Sequence, residues 1–190
     1  WDMEWELQQL GFDFTYDKRL TDRLGNADVL SIKGHLHADD EFQKKSVRFL
    51  ENHDEIRAIT KFGKERSLAA AIIISTIQGM RFFHDGQFEG KKIKIPVQLG
   101  AQPFDRPNKS VQDFYSKLLS IISTDIFHNG TWQMLYPDPA GPTNDSYNNI
   151  FSWLWSYKDE RRLVVVNYSD YTAQCRLKFD VPTDSNEINM

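Results

Sequence analysis

The apolar positions of this chain change period once. Up to about residue 129 they alternate between short extended runs and helical stripes, and beyond Gly130 they recur at every second position. Residues 2–10 (DMEWELQQL) are good helix formers closed by Gly11, as a glycine just past a helix end would close them. Phe12 to Tyr16 (FDFTY) alternates like a strand, and Asp17 is suited to cap the helical KRLTDRL behind it. Residues 25–45 are polar and glycine-punctuated, with an ambiguous VLSIKG turn. Ser46 to Leu50 (SVRFL) then predicts a second strand that runs directly into Glu51, Asn52, His53, Asp54 and Glu55. Lys64 to Gln78 is apolar nearly all round from Leu68 onward, which predicts a helix covered on most sides. Gly79 ends it, Met80 to Phe83 (MRFF) supplies a third strand, and HDGQFEG follows as a polar loop bracketed by glycines. Past a stretch marked by Pro96, Pro103 and Pro107, Asn108 or Ser110 caps a helix with Val111, Phe114, Leu118, Ile121 and Ile122 on one stripe.

In the last third, Trp132, Met134 and Tyr136 alternate, as do Phe151, Trp153, Trp155 and Tyr157. Leu163 to Val166 is a β-branched run, and Cys175, Leu177, Phe179 and Val181 alternate with polar residues. These are four antiparallel-type strands. The expected architecture is an α/β portion followed by an all-β one, with a boundary near residue 129.

Composition narrows the function classes. The 190 residues are 40% hydrophobic and 26% charged, as in ordinary globular chains. With 23 Lys+Arg against 27 Asp+Glu the net charge is −4, so no general attraction to phosphate backbones exists and nucleic acid is not an expected partner. The single cysteine, Cys175, makes neither an intrachain disulfide nor a four-cysteine metal site. The longest apolar run, Leu68 to Ile74, is far short of the roughly 18 residues of a membrane span. The chain reads as soluble with no membrane partner. Its compartment stays open, with the cytoplasm slightly favoured. It begins at Trp1 with no initiator Met, so a processed product or a piece of something longer is expected, and the piece is preferred.

Strands alternating with helices form parallel layers, and chemistry in such layers gathers where strands end and loops begin. The Glu51–Glu55 cluster and the His84–Gly90 loop both sit at such ends. Two other constellations have plainer readings. Asp17 and Asp54 both follow strands and could form a carboxylate pair, but Asp17 is better read as a helix N-cap. His35, His37, Asp39 and Asp40 (HLHADD) could hold a metal, but the spacing fits no known structural site and a solvated loop is the preferred reading. Asp2, Glu4 and Glu6 read as solvated helix charges, and His128 as a helix-end imidazole. The aromatic row Phe151, Trp153, Trp155 and Tyr157 is read as sandwich core and not as a sugar-stacking platform.

Phe49-Leu50-Glu51-Asn52-His53-Asp54 resembles the fourth conserved region of the α-amylase family, glycoside hydrolase family 13, where an apolar pair and an acidic residue precede Asn-His-Asp. Gly79 to Gly90 is similar to the family's glycine–strand–loop segment before the eighth helix. Phe114-Tyr115-Ser116-Lys117-Leu118-Leu119 is similar to that helix, and Gly130-Thr131-Trp132 with residues 149–169 to the C-terminal β domain. The resemblance implies that residues 1–128 are the C-terminal part of an incomplete (β/α)₈ TIM barrel and residues 129–190 an antiparallel β-sandwich domain. It implies a retaining α-glucan hydrolase in which Asp54 stabilises the transition state and His53 binds the same sugar ring. His84 becomes a rim residue and a second candidate for sugar binding. Glu51 and Asn52 would hold the loop, with Glu55 and Arg57 at best rim contacts.

The family's nucleophile Asp and acid Glu come from earlier strands, and Trp1 resembles a residue a step or two beyond that Glu. The isolated chain is therefore expected to be inactive, with no cofactor or metal of its own and calcium only in a longer parent. Three strands of a barrel would leave parallel edges unpaired and the Leu68–Ile77 helix exposed, so self-association is expected. The alternatives are a transglycosylase or isomerase of the same family, or a non-catalytic carbohydrate-binding or assembly module.

Overall fold

A computed structural model of the chain describes residues 2–98, 101 and 103–179. The expectations placed on Trp1 and Val181 lie outside the described residues. Helix α1 (Glu4–Gln9) leads into strand β1 (Thr15–Tyr16), and helices α2 (Lys18–Asn26), α3 (Val29–Leu36) and α4 (Asp40–Lys44) follow. Strand β2 (Ser46–Arg48), helices α5 (Ala58–Phe62) and α6 (Lys64–Thr76), strand β3 (Met80–Arg81) and helices α7 (Lys109–Ile122) and α8 (Ile126–Asn129) complete the α/β portion. The strands are shorter than the alternation predicted. Residues 25–45 hold two helices where a loop was expected, because Asp28 and Asp39 cap them by accepting from Ser31 N at 3.0 Å and Glu41 N at 2.9 Å. Helices of eight and five residues, the first apolar on several sides and the second mostly charged, carry little apolar periodicity for a sequence to show.

The three strands form one parallel sheet in the order β1–β2–β3, with Thr15 opposite Ser46 and Val47 opposite both Tyr16 and Met80. Period-two alternation puts Tyr16, Val47 and Met80 on one face and Thr15, Ser46 and Arg48 on the other, towards the helices. No closed barrel forms among the described residues. Gly79 lets β3 run this close to β2: its φ is +110°, and a Cβ there would lie 2.4 Å from Ser46 O.

Arg48, fully buried in the middle strand, ties the sheet together. Its Nε donates to Gln78 O at 2.9 Å, just before β3. Its Nη2 donates to Gln43 O at 3.1 Å in α4. Its Nη1 is ion-paired with Asp17, just after β1. Asp17 also takes His35 Nε2 at 2.8 Å and caps α2 through Leu20 N at 3.1 Å. The N-cap reading of Asp17 therefore holds, and the imagined pair with Asp54 does not form, since the Asp17 carboxylate is committed to Arg48 and His35 on the helix side of the sheet. Burial alone would raise the Asp17 carboxyl. The hydrogen bond from His35 and the charge of Arg48 outweigh burial and hold it below the usual carboxylate value.

Helix α6 is not exposed. Ala70, Ala71, Ile73 and Ile74 have no accessible surface, because α5, α7 and a second sheet cover them. That sheet is antiparallel, in the order β4 (Thr131–Leu135), β6 (Ile150–Tyr157), β7 (Glu160–Asn167). The expected fourth strand is the short β8 (Cys175–Arg176), which leaves the sheet to pair with β5 (Asp138–Pro139). The aromatic row of β6 is core, as expected, but it packs on helices and not on a facing sheet. Trp155 Nε1 donates to Thr76 O at 2.6 Å, the Trp155 ring lies 5.8 Å from that of Phe127, and Tyr168 donates to Leu24 O at 2.9 Å. Beside this sheet the described residues hold the two-stranded β5–β8 pair. One apolar cluster runs from Leu20 and Ile74 through Tyr115 to Trp153 and Tyr168. On α7 the buried stripe is Val111, Tyr115, Leu118 and Ile122, with Ile121 half exposed; the packing follows i, i+4, i+7, i+11.

Helix α7 also pins the loop after β3. Gln87 Nε2 donates to the Tyr115 hydroxyl at 2.8 Å, and Phe83, Phe88 and Tyr115 pack ring on ring. Burial pushes the Tyr115 phenol up to about 12.

Arg48→Met strands a buried carboxylate and is expected to cost roughly 3–5 kcal/mol in urea unfolding. Because the folded chain holds Asp17 below its unfolded value, stability from this group is complete above about pH 4 and is lost as pH falls through the lower folded value. Asp17→Asn should flatten that part of a stability–pH curve. Tyr115→Phe leaves the Gln87 amide without its acceptor and should cost about 1–3 kcal/mol, with loss of hydrogen-exchange protection over residues 84–90.

Candidate functional site at the strand ends

Strand β2 delivers Glu51-Asn52-His53-Asp54 at its C-terminal end, as the sequence reading required. Asn52 is buried and builds the turn: its Oδ1 accepts from Asp54 N at 2.9 Å and from Glu55 N at 3.1 Å. His53 and Asp54 face solvent and touch each other, Nε2 to Oδ2 at 3.3 Å. Lys94 donates to the Asp54 carbonyl from the segment that follows the next loop. Glu55 is held by Lys18 at 3.3 Å and Lys61 at 3.6 Å, which anchors the turn to α2 and α5.

His84 reaches the same edge from the end of β3, one strand over. Its ring nitrogen Nδ1 lies 3.8 Å from Glu51 Oε1 and 2.9 Å from Arg57 Nη1. Burial lowers the His84 imidazole below its ordinary value, and the charge of Arg57 lowers it further.

Arg57 departs from the expectation that it is a rim contact. It is 3% exposed and joins four stretches of chain. Nη1 donates to Glu51 Oε1 at 2.7 Å and to Asp85 O at 2.6 Å, and Nε donates to Ile93 O at 3.2 Å. Glu51 itself accepts from Ala58 N at 2.5 Å, at the start of α5. Glu51 and Asn52 therefore hold the loop, as the sequence suggested. The buried role of Arg57 was missed because an arginine nine residues past a strand carries no pattern by itself; the buried acid at Glu51, which needs a cation, was the available signal.

The rest of the HLHADD run is dispersed. His35 pairs with Asp17, and His37 stacks on Tyr136 with ring centroids 5.2 Å apart. Asp39 caps α4 and Asp40 pairs with Lys44. No group of three or more His, Cys, Asp or Glu side chains that could hold a metal occurs among the described residues.

His53, Asp54 and His84 stand at an open rim. A cavity of about 850 Å³ lies at the opposite, N-terminal ends of the strands, lined by Phe14, Gln78, Met80, Phe127 and Trp155 among others. A smaller one of about 290 Å³ is lined by Trp5, Asp17 and His35. Three adjacent strand ends make one wall of a cup and cannot enclose a ligand by themselves.

No protein-family model matches the sequence, and no curated protein does. Solved structures do match. A maltogenic α-amylase, AmyB, from Thermotoga neapolitana superposes with a TM-score of 0.65 at 20% identity over 87% of this chain and 40% of its own. A cyclic α-maltosyl-(1→6)-maltose hydrolase from Arthrobacter globiformis, in complex with maltose, gives 0.60 at 17% identity over 82% of this chain and 37% of its own. An α-amylase from H. orenii gives 0.61 at 16% identity over 84% and 40%. The chain thus spans about two fifths of the length of these structures. In fold, it matches a portion of the α-amylase-type glycoside hydrolases.

Proposed function

We propose that the chain is the C-terminal portion of an α-amylase-type glycoside hydrolase acting on α-glucans by a retaining mechanism. Residues 1–128 would be the closing part of the catalytic barrel and residues 129–190 its C-terminal β domain. The observation that carries the reading is the delivery of His53 and Asp54 by one parallel strand and of His84 by the next, all at the C-terminal edge of the sheet. Barrel enzymes place their chemistry at that edge. An oxocarbenium-like transition state is positive, and hydrogen bonds to ring hydroxyls strengthen as it forms. A fixed Asp54 carboxylate with His53 and His84 beside it would contribute several kcal/mol.

Retaining hydrolysis also needs two carboxylates about 5 to 5.5 Å apart. Asp17 and Glu51 are bound to Arg48 and Arg57 and cannot serve. By resemblance, the nucleophile and the acid/base come from strands upstream. The isolated chain is therefore inactive in this reading. It releases no reducing sugar from maltoheptaose, whereas the longer enzyme does, and Asp54→Asn lowers the longer enzyme's turnover by two or more orders of magnitude with little change in unfolding midpoint. Full activity of that variant would remove Asp54 from the mechanism. Micromolar binding of maltoheptaose by the isolated chain in an NMR titration would instead favour a binding module.

The sheet face bearing Phe14, Tyr16 and Met80 remains 39–44% exposed at those side chains, next to parallel edges that no other described strand pairs. The isolated chain accordingly self-associates in this reading. Sedimentation velocity should show dimers or larger species, and a monomer that melts cooperatively would refute it.

A further inference from the structure

We infer that Arg57 is a positioning residue that locks His84 as a neutral imidazole with its proton on Nε2, so that this strand end offers a ligand a hydrogen-bond donor. The sugar-hydroxyl role of that donor rests on the glucan reading above; the lock itself does not.

A guanidinium has five donors and no acceptor. Arg57 Nη1 has two N–H groups for three neighbours, Glu51 Oε1, Asp85 O and His84 Nδ1, so one proton is shared; it has no lone pair to accept with, so Nδ1, 2.9 Å away, is on the accepting side and the ring proton sits on Nε2. Among the side-chain contacts described for Nδ1, the acceptor that could hold a proton there is Glu51, but its Oε1 is 3.8 Å away, beyond hydrogen-bond reach, and is taken up by Arg57 at 2.7 Å. Arg57 cannot swing aside, because Asp85 O and Ile93 O fix the same guanidinium. Gly86 leaves the space it occupies: its φ is +87°, and a Cβ there would lie 3.2 Å from Arg57 Nη2.

The charged groups that act on His84 are Arg57 from the start of α5, Glu51 and His53 from the end of β2, and Asp85 beside it in its own loop. Burial and the charge of Arg57 oppose a second proton on the ring, while Glu51 and Asp85 favour one. A protonated ring would set an N–H against the guanidinium and break the link between the two strand-end loops. The lock therefore keeps His84 a neutral donor to lower pH than a free imidazole would stay one. Sequence reading could mark His84 as a rim residue but could not choose its tautomer, since the partner that chooses it lies 27 residues away.

Long-range ¹H–¹⁵N correlation spectra of the full chain test this, with the His84 signals assigned by their loss in His84→Gln. The expected pattern is an unprotonated Nδ1 and a protonated Nε2 that persist below about pH 6.5, the ordinary imidazole value. A proton on Nδ1, or titration of His84 at or above that value, overturns the inference, and the native protein's assigned spectrum decides this. The double variant Glu51→Gln/Arg57→Met removes both charges together and strands neither. It should give a mixture of tautomers and an upward shift of the His84 midpoint; an unchanged pattern overturns the inference. Saturating maltoheptaose added to the longer enzyme, where the rest of the sugar cleft is present, separates the two readings. Displacement of the Nε2 signal supports both, and an intact lock with an unmoved Nε2 signal supports the lock and counts against the glucan reading alone.

Discussion

A buried guanidinium must find carboxylate and carbonyl partners or the chain does not fold, and in this protein Arg48 finds them on three separate stretches of backbone. Asp17 follows the first strand, Gln78 precedes the third, and Gln43 belongs to the helix before the second. The ladder itself is only two or three residues long at each strand. Such short strands do not fix their own alignment by backbone hydrogen bonds. One side chain that reaches both neighbours sets how far each strand runs, and so where each one hands over to its loop.

Arg57 repeats the same physics one turn of loop higher. A buried acid, Glu51, demands a cation, and the cation that answers also holds the loops after β2 and β3 and the segment at Ile93. The two exposed groups assigned to a sugar in the proposed reading, His53 and Asp54, are carried on this frame without being part of it. Separation of this kind suits a site: the polar groups that must stay available bear little structural load, and the groups that bear the load are satisfied by each other.

The antiparallel sheet is part of the same economy. Its aromatic face covers α6 and α8; Trp155 caps the Thr76 carbonyl at the end of α6, and Tyr168 adds a second donor to Leu24 O of α2, which also accepts from Ala27 N. A helix as apolar as α6 needs cover on nearly every side, and a three-stranded parallel sheet offers only one. The β portion supplies the rest, which is why a second sheet layer is not what its aromatic row packs against.

Much of this was legible in the residues themselves. Alternation and helical periodicity are local, so the three parallel strands, the buried α6, the capped α7 and the change to an antiparallel sheet after Gly130 follow from neighbours a few positions apart. The Asn-His-Asp run showed where the candidate site lies for the same reason: a polar knot directly after an apolar strand is a local signal. The two capped helices between Asp28 and Lys44 were not legible, because their stability comes from caps and long-range packing and not from an apolar stripe. The partner of each buried charge was beyond local reading too. Arg48 meets Asp17 across 31 residues and Arg57 meets His84 across 27. Chain-local patterns decide which segments extend and which coil; only the folded arrangement decides which distant charges share a low-dielectric interior, and with them the height of each strand end and the side of the imidazole that keeps its proton.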